Sequence, residues 1–234
     1  MMAKAVALGA LGEWARERSR EDAVLAHAVR VNASWWSEKL VTGAVADDGG
    51  NCEGSISVSR ARVFDVARET LSEQGHPLRL LWHTLAWGTG TRHRNNGRRI
   101  TSVHSMGNEA EELLLYAAQE ARTDPGKAFD LLKPRGTAIK YLGPAFFTKY
   151  MYFAGGGRAD HPSLIVDQYV LATLHRLTGD NLLKPRFGFG RAAYLAAVQQ
   201  MQDLAGRASQ EVGRAVAADE VERWAFEYGK ELVK

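Results

Sequence analysis

Apolar residues recur at the spacing of an α-helix along almost the whole chain, and this periodicity restricts the fold more than any other feature. Three apolar stripes, each on one helix face, illustrate it: Val63, Val66, Ala67 and Leu71; Ala110, Leu113, Leu114 and Ala117; and Tyr194, Val198, Met201 and Ala205. The one stretch with strand character, Ser55–Val58, is too short to found a sheet. The sequence therefore predicts an all-α protein of about eight to ten helices.

Local signals mark where two of these helices begin. Asp124 followed by Pro125 is typical of an N-cap and a first helical residue, and predicts a helix through Leu132. Asp219 with Glu222 resembles a capping box, and predicts the start of the last helix.

Length and composition set the class of protein. A chain of 234 residues fits one large domain or two subdomains that share a cleft, and 45% apolar residues suffice for a buried core. No apolar run approaches the roughly 18–20 residues that cross a bilayer, and the apolar segment Met1–Leu11 lacks a leader pattern. Cys52 is the only cysteine, which excludes disulfides within the chain, cysteine zinc sites and iron–sulfur clusters. We therefore expect a cytoplasmic protein without a membrane partner.

Basic residues are concentrated in two segments, although the net charge is only +3. A Gly/Asn-rich loop contains Arg92, His93, Arg94, Arg98 and Arg99, and a second segment contains Lys184, Pro185, Arg186 and Arg191. This clustering indicates a nucleic-acid partner, which the net charge alone permits without requiring.

The segment Ile139–Phe153 contains the most informative motif. Its centre predicts a short helix that ends at a glycine turn and a second helix that begins at once, with Pro144 near its first position. The turn residues are Leu142, Gly143, Pro144 and Ala145. Backbone N–H groups at such a turn and helix start form a seat for a phosphate.

A second motif follows a Gly-rich linker at Gly155–Gly157. The apolar run Leu164–Val166 ends in Asp167, which predicts the start of a helix through Leu177.

Together the two motifs resemble those of helix-hairpin-helix DNA glycosylases. Their residues are most similar to those of the bacterial branch with an 8-oxoguanine glycosylase fold. The specific match covers about Ile139–Leu177. The resemblance implies two helical lobes with the active site between them, and an enzyme that flips a modified base out of DNA and hydrolyses its N-glycosidic bond to leave an abasic site. It also implies that Asp167 is the catalytic aspartate and that Leu142–Ala145 grip a phosphate.

The chemistry of Asp167 agrees with that role. Cleavage of an N-glycosidic bond builds positive charge on the sugar, which a nearby ionised carboxylate stabilises. A helix N-terminus keeps a carboxylate charged. The alternative is purely structural, since Asp is also a preferred N-cap.

Lys149 departs from the family's usual placement. Members that also cleave the strand use a lysine of the second hairpin helix as nucleophile, normally at the position of Ala145 here. Lys149 lies four residues further, on the same helix face, and can act in the site by a different register or hold a phosphate. Because Asp167 would keep it protonated, we predict a monofunctional enzyme, with Lys140 as the nearest other amine. Tyr141 stands where the hairpin's first glycine is expected.

Further residues complete the predicted site. We expect Arg92, Arg94, Arg98 and Lys140 to contact DNA phosphates, and one of the adjacent Trp35 and Trp36 to line the base pocket. Trp82 and Trp87 fit the core better, and the histidines show no metal-ligand spacing. Residues 60–160 would form a central lobe, and residues 1–59 with 161–234 a second lobe.

The substrate implied by the resemblance is double-stranded DNA with a modified base, bound by a monomer without a cofactor or a metal. Two substrates stay open: oxidised guanine, which means repair, and a hypermodified phage base, which means antiviral defence. A non-enzymatic helix-hairpin-helix DNA-binding protein is the alternative from another class, although phosphate binding gains nothing from Asp167.

Overall fold

The computed structural model describes residues 2–40, 44–71 and 76–233, with residues 2–8 described by their backbone. The α-helices of these ranges are α1 (Met2–Glu17), α2 (Ala33–Lys39), α3 (Arg60–Thr70), α4 (Pro77–Thr89), α5 (Asn96–Met106), α6 (Asn108–Ala121), α7 (Pro125–Leu132), α8 (Pro144–Phe153), α9 (Gln168–Thr178), α10 (Arg191–Val212) and α11 (Ala218–Leu232). A π-helical turn covers Glu21–Leu25, and 3₁₀ turns cover Gly90–Arg92 and Asn181–Leu183. The prediction of an all-α protein is confirmed. None of the helices in these ranges has the length and apolar character needed to cross a bilayer.

The Asp124 signal is confirmed in detail. Its Oδ1 accepts hydrogen bonds from the backbone N–H groups of Gly126 and Lys127, both at 3.0 Å. The helix that follows, α7, has the predicted bounds. A cap of this kind depends only on neighbouring residues, so it can be predicted from sequence.

The capping box predicted for the last helix is wrong. The backbone N–H of Ala217 donates to Glu220 at 2.8 Å, whereas Asp219 binds Arg20 and Glu222 binds Arg60. Both of these carboxylates point into the protein, because arginines from distant parts of the chain pair with them there.

A two-stranded antiparallel sheet joins β1 (Ala28–Asn32) to β2 (Ser55–Ser59), with Val31 opposite Ile56. The expectation that Ser55–Val58 is too short to found a sheet is therefore wrong, because this segment pairs with β1, a strand that was not predicted from the sequence. The sheet packs against α4 and the 3₁₀ turn at Gly90–Arg92.

Close helix contacts bring distant segments together. The C-terminal helix α11 packs on α9, where the Thr173 hydroxyl donates to the carbonyl oxygen of Ala225 at 2.6 Å. Gly229 allows this approach, since a Cβ there would collide with the carbonyl oxygen of Tyr169. The helix α4 packs on α3 and α8, and α10 packs on α1 and α11. Residues of α3, α4, α8, α9 and α11 consequently surround one cavity.

Candidate active site

Asp167 lies directly before α9 and caps it. Its Oδ1 accepts hydrogen bonds from the backbone N–H groups of Tyr169 and Val170, at 2.9 and 3.1 Å, and the residue is 8% exposed. These donors and the helix N-terminus stabilise a negative charge. The structural and the electrostatic interpretations of Asp167 are thus compatible, because one oxygen caps the helix and the other is left for a further contact.

The second oxygen of Asp167 faces Lys149. Oδ2 lies 3.9 Å from Nζ, and Nζ donates a hydrogen bond to the carbonyl oxygen of Ala145 at 2.8 Å. Lys149 lies one helical turn beyond Ala145 on the same face of α8. The shifted register therefore still brings the lysine to the aspartate.

Thr148 holds Lys149 and Asp167 near each other through hydrogen bonds to Val166. The hydroxyl of Thr148 donates to the carbonyl oxygen of Val166 at 3.1 Å and accepts from its N–H at 3.3 Å. Thr148 precedes Lys149 and Val166 precedes Asp167, so the two hydrogen bonds fix the spacing of the charged pair. The segment Leu164–Val166 and the part of α8 around Thr148 are both buried.

Burial and the neighbouring carboxylates act in opposite directions on the pKa of Lys149. Desolvation lowers the pKa of the Lys149 amine below its ordinary value, and Arg60 and Arg99 act in the same direction. Asp167 and Glu222 oppose this shift without reversing it. The carboxylates of Asp167 and Glu222 therefore favour the protonated amine of Lys149, as expected from the sequence for Asp167, whereas burial favours the neutral amine.

Asp167 and Lys149 line a cavity of about 630 Å³. Its other lining residues are His27, Val29, Arg60, Trp87, Gly88, Thr89, Gly90, Arg92, Ala145, Phe146, Ile165, Gln168, Tyr169, Phe187, Glu222, Phe226 and Lys230. Aromatic rings with a few charged groups are typical of a pocket for a flat, polar ring.

A second ion pair lines the cavity beside the first. Arg60 donates to Glu222 at 2.7 Å, and both side chains are almost fully buried. The guanidinium also lies over the ring of Trp87, 5.0 Å from its centre. Burial raises the pKa of the Glu222 carboxyl, although Arg60 opposes this shift. This pair was not predicted from the sequence, in which the available signal was a charged residue within the apolar face of α11.

Trp87 and His27 form an aromatic part of the wall. Their rings meet edge to face with centroids 5.3 Å apart. Trp87 is 6% exposed, so the prediction that it belongs to the core is confirmed, although it also lines the cavity. Burial lowers the pKa of His27 to about 3, which keeps the imidazole neutral near neutral pH.

The basic loop lies beside the predicted hairpin. Arg92, Arg94, Arg98 and Lys140 are all exposed. The charged groups of Arg98 and Lys140 lie 5.6 and 5.5 Å from the centre of the Tyr141 ring. Buried Arg99 links the two segments, since it donates to the carbonyl oxygens of Tyr141 at 3.0 Å and Arg94 at 2.9 Å. The structure thus brings the four predicted DNA-contacting cations to one region.

At the position of the hairpin's expected first glycine, the backbone has the left-handed conformation that glycine favours, although the residue is Tyr141. Tyr141 has a φ of 67°, a conformation that side chains disfavour. Gly143 is the N-cap residue of α8 and has no side chain to accept a hydrogen bond from the helix. Pro144 is the first helical residue, as predicted. Leu142 and Pro144 are buried, whereas Gly143 and Ala145 are partly exposed.

The short helix expected before this turn is absent from residues 134–143, all of which are described. The helix α7 ends at Leu132, ahead of Pro134, and the backbone N–H of Leu142 donates to the carbonyl oxygen of Ile139 in a single turn. Pro134 and the left-handed Tyr141 explain why no regular helix forms between them.

The adjacent tryptophans expected at the base pocket lie away from the cavity. Trp36 is fully buried in the core, and neither Trp35 nor Trp36 lines the cavity. Trp35 stacks on His93 with ring centroids 4.2 Å apart. The large aromatic residues that line the cavity are Trp87, Phe146, Tyr169, Phe187 and Phe226.

Comparison with known proteins gives one family match. The family model described as "Putative 8-oxoguanine DNA glycosylase OGG-like protein" matches residues 22–226, which include every lining residue of the cavity except Lys230. The comparisons with curated proteins and with solved structures gave no match. The resemblance identified from the two motifs is confirmed over nearly the whole chain, and the chain belongs to the 8-oxoguanine DNA glycosylase OGG-like family.

Proposed function

We propose that the protein is a DNA glycosylase that flips a modified base into the cavity and hydrolyses its N-glycosidic bond. The observation that carries this proposal is the buried carboxylate of Asp167, which lines the cavity, accepts from two backbone N–H groups on one oxygen and faces Lys149 with the other. A non-enzymatic DNA-binding protein could use Asp167 to cap α9, but phosphate binding gains nothing from a carboxylate at the cavity.

In the proposed reaction, Asp167 stabilises the positive charge that develops on the sugar as the bond between C1′ and the base nitrogen breaks. The bonding electrons leave with the base, which takes up a proton. A water molecule adds its oxygen to C1′ and releases a proton, so the product is an intact abasic site.

DNA would lie across the mouth of the cavity. Arg92, Arg94, Arg98 and Lys140 supply positive charge for its phosphates, and the partly exposed backbone at Gly143 and Ala145 offers N–H donors. Leu142 and Pro144 are buried and shape the turn. We propose that the protein acts as a monomer, with residues 60–160 as the central lobe and residues 1–59 with 161–234 as the second.

The substrate is either oxidised guanine, in repair, or a hypermodified phage base, in antiviral defence. Genomic DNA with and without each class of modification should be incubated with the protein, and released bases identified by mass spectrometry. Release of one modified base, with abasic sites left in the DNA, is the expected result. Tight DNA binding without release from any of these DNAs would contradict the proposal and favour the non-enzymatic alternative.

Strand cleavage by Lys149 is a second candidate activity, favoured by the lowered pKa of its buried amine. Attack of the neutral amine on C1′ would displace the base with its bonding electrons. Breaking of the C1′–O4′ bond, with transfer of the amine's proton to O4′, would then give an imine, which cleaves the strand by losing a C2′ proton and expelling the 3′ phosphate. Borohydride reduces the imine to a stable amine link between enzyme and DNA. If Lys149 acts in this way, trapping rises with pH as the amine loses its proton. Because its pKa is lowered, this rise falls at a lower pH than for an exposed lysine.

The Lys149→Gln variant decides between the two activities. Trapping that disappears in this variant makes Lys149 the nucleophile, whereas trapping that persists moves the amine elsewhere, with Lys140 first to be tested. Base release without trapping at any pH would support the monofunctional prediction, and Lys149 would then act by orienting Asp167.

A further inference from the structure

The loop between Asn181–Leu183 and α10 presents an aromatic ring at the cavity that the proposed reaction does not use. Phe187 is 76% exposed, the highest value among the large apolar residues of the described ranges, yet it also lines the cavity. A single exposed apolar residue needs no explanation by itself. Phe187, however, lies beside the proposed active site and within a basic segment, and this position requires an explanation.

The loop is held at both ends. Leu183 and Phe189 are buried, and Phe189 packs near Phe129 with ring centroids 6.2 Å apart. Lys133 donates to the carbonyl oxygens of Gly188 and Phe189, at 3.4 and 3.1 Å. All five residues between the anchors are exposed, so the loop projects Phe187 from a fixed base.

The neighbours of Phe187 favour DNA as the contact. Lys184 and Arg186 are exposed cations on the same short loop, and Arg92 is an exposed cation that lines the same cavity. Phosphates pair with such cations, and an apolar ring between them can stack on a base or enter a base step. A protein or lipid contact would require a wider apolar patch than this one ring.

We propose that Phe187 enters the duplex beside the extruded nucleotide and stacks in the gap that the flipped base leaves, while Lys184 and Arg186 hold the flanking phosphates. This inference rests on the proposed function, since it assumes that DNA lies across the cavity. It assigns two separate roles to one loop: the ring recognises the gap, and the cations contribute affinity for any duplex.

The test uses two duplexes of the same sequence, one intact and one with a tetrahydrofuran abasic analogue opposite cytosine. Neither contains a cleavable modified base, so binding is measured without catalysis. The wild type should prefer the abasic duplex. Phe187→Ala should reduce that preference roughly five- to a hundredfold, the range for loss of one base–aromatic stack, with little change for the intact duplex. Phe187→Trp should retain the preference.

Two further variants complete the comparison. Arg186→Gln should weaken binding of both duplexes equally and make the salt dependence shallower. Tyr116→Ala, which removes another exposed aromatic residue that does not line the cavity, should change neither affinity. Equal preference in the wild type and Phe187→Ala would overturn the inference, as would a wild type without any preference.

Failure of this inference can be told apart from failure of the proposed function. A wild type that releases a base, with a preference unaffected by Phe187→Ala, overturns the role of Phe187 alone. A wild type that recognises the gap through Phe187 but releases no base from any modified DNA overturns the glycosylase proposal alone.

Discussion

The cavity wall contains two ion pairs that differ in geometry. Arg60 and Glu222 meet at 2.7 Å, whereas the charged atoms of Lys149 and Asp167 are 3.9 Å apart. A close, hydrogen-bonded pair in the interior satisfies both charges. In the looser pair, the Oδ2 of Asp167 is not hydrogen-bonded to Lys149, and Asp167 lines the cavity, where a group that stabilises positive charge on a substrate would have to lie.

We predict that Glu222→Gln destabilises the fold by about 3–5 kcal/mol, because it leaves the buried guanidinium of Arg60 without a counter-charge. Denaturant unfolding measures this change. Asp160→Asn, in the exposed pair with Arg158, serves as the control and should leave the unfolding midpoint unchanged.

The double variant Arg60→Met with Glu222→Met should recover most of that stability, since it removes both buried charges together. A double variant that is destabilised as much as Glu222→Gln would show that packing against Trp87 and Tyr152, rather than charge pairing, is the main contribution of Arg60.

At the scale of elements, the basic loop and the hairpin behave as one unit. Arg99 donates to the backbone of both segments and lies 3.8 Å above the ring of Phe146, which lines the cavity. The buried side chain thereby joins the proposed DNA-binding surface to the proposed active site.

We predict that replacing Arg92, Arg94 and Arg98 together by glutamine makes the salt dependence of DNA binding shallower. The slope should fall by about one unit for each phosphate that the variant no longer neutralises. Fluorescence anisotropy at several salt concentrations measures the slope. The control is Arg207→Gln, an exposed arginine on α10 outside both basic segments, which should not alter it. An unchanged slope in the triple variant would mean that the loop does not face DNA.

Features that depend on residues close together in the sequence could be predicted, whereas features that depend on distant residues could not. The starts of α7 and α9 were predictable because Asp124 and Asp167 bind backbone N–H groups two and three residues away. The short strand β1 was missed because its partner lies some 25 residues further along the chain, and short apolar runs do not distinguish strand from helix.

The cavity shows the same limit. Asp167 and the hairpin belong to one local motif, so the sequence places them together. Arg60 and Glu222 are separated by 162 positions, and only the packing of α11 and α3 around the cavity brings them into contact. Trp87, rather than Trp35 or Trp36, lines the cavity, and the sequence did not indicate this, since helix geometry alone does not tell which neighbour covers a ring.

For the whole molecule, a buried neutral histidine couples folding to pH. The backbone N–H of Ala46 donates to Nε2 of His83 at 3.2 Å, and Nδ1 lies 2.8 Å from the carbonyl oxygen of Arg79. These contacts fit the neutral tautomer that has its proton on Nδ1. Burial lowers the pKa of His83 to about 4.

This pKa predicts acid sensitivity. Below the unfolded-state pKa of roughly 6.5, the unfolded chain binds a proton at His83 that the folded protein does not, so stability falls with decreasing pH until about pH 4. Thermal unfolding from pH 7 to pH 4 measures the decline, to which His83 contributes about 3 kcal/mol at most. In His83→Gln the decline should be smaller. An identical pH dependence would show that other groups determine acid stability, with His27 as the next to test.

The central claim is that the carboxylate of Asp167 stabilises the cationic sugar, and one substitution tests it most directly. Asp167→Asn retains the oxygen that accepts from the N–H groups of Tyr169 and Val170, so α9 stays capped, but it removes the charge beside Lys149. Asp124→Asn makes the same change at the cap of α7, outside the cavity, and serves as the matched control.

The measurement is the single-turnover rate of base release from the modified DNA that the mass-spectrometric assay identifies. For Asp167→Asn we predict a fall of at least a hundredfold, on the scale of roughly 3–4 kcal/mol for one aimed electrostatic group, with unchanged affinity for the abasic-analogue duplex and an unchanged fold. Asp124→Asn should release the base at the wild-type rate. A folded Asp167→Asn variant that releases the base at a near-normal rate would contradict the account.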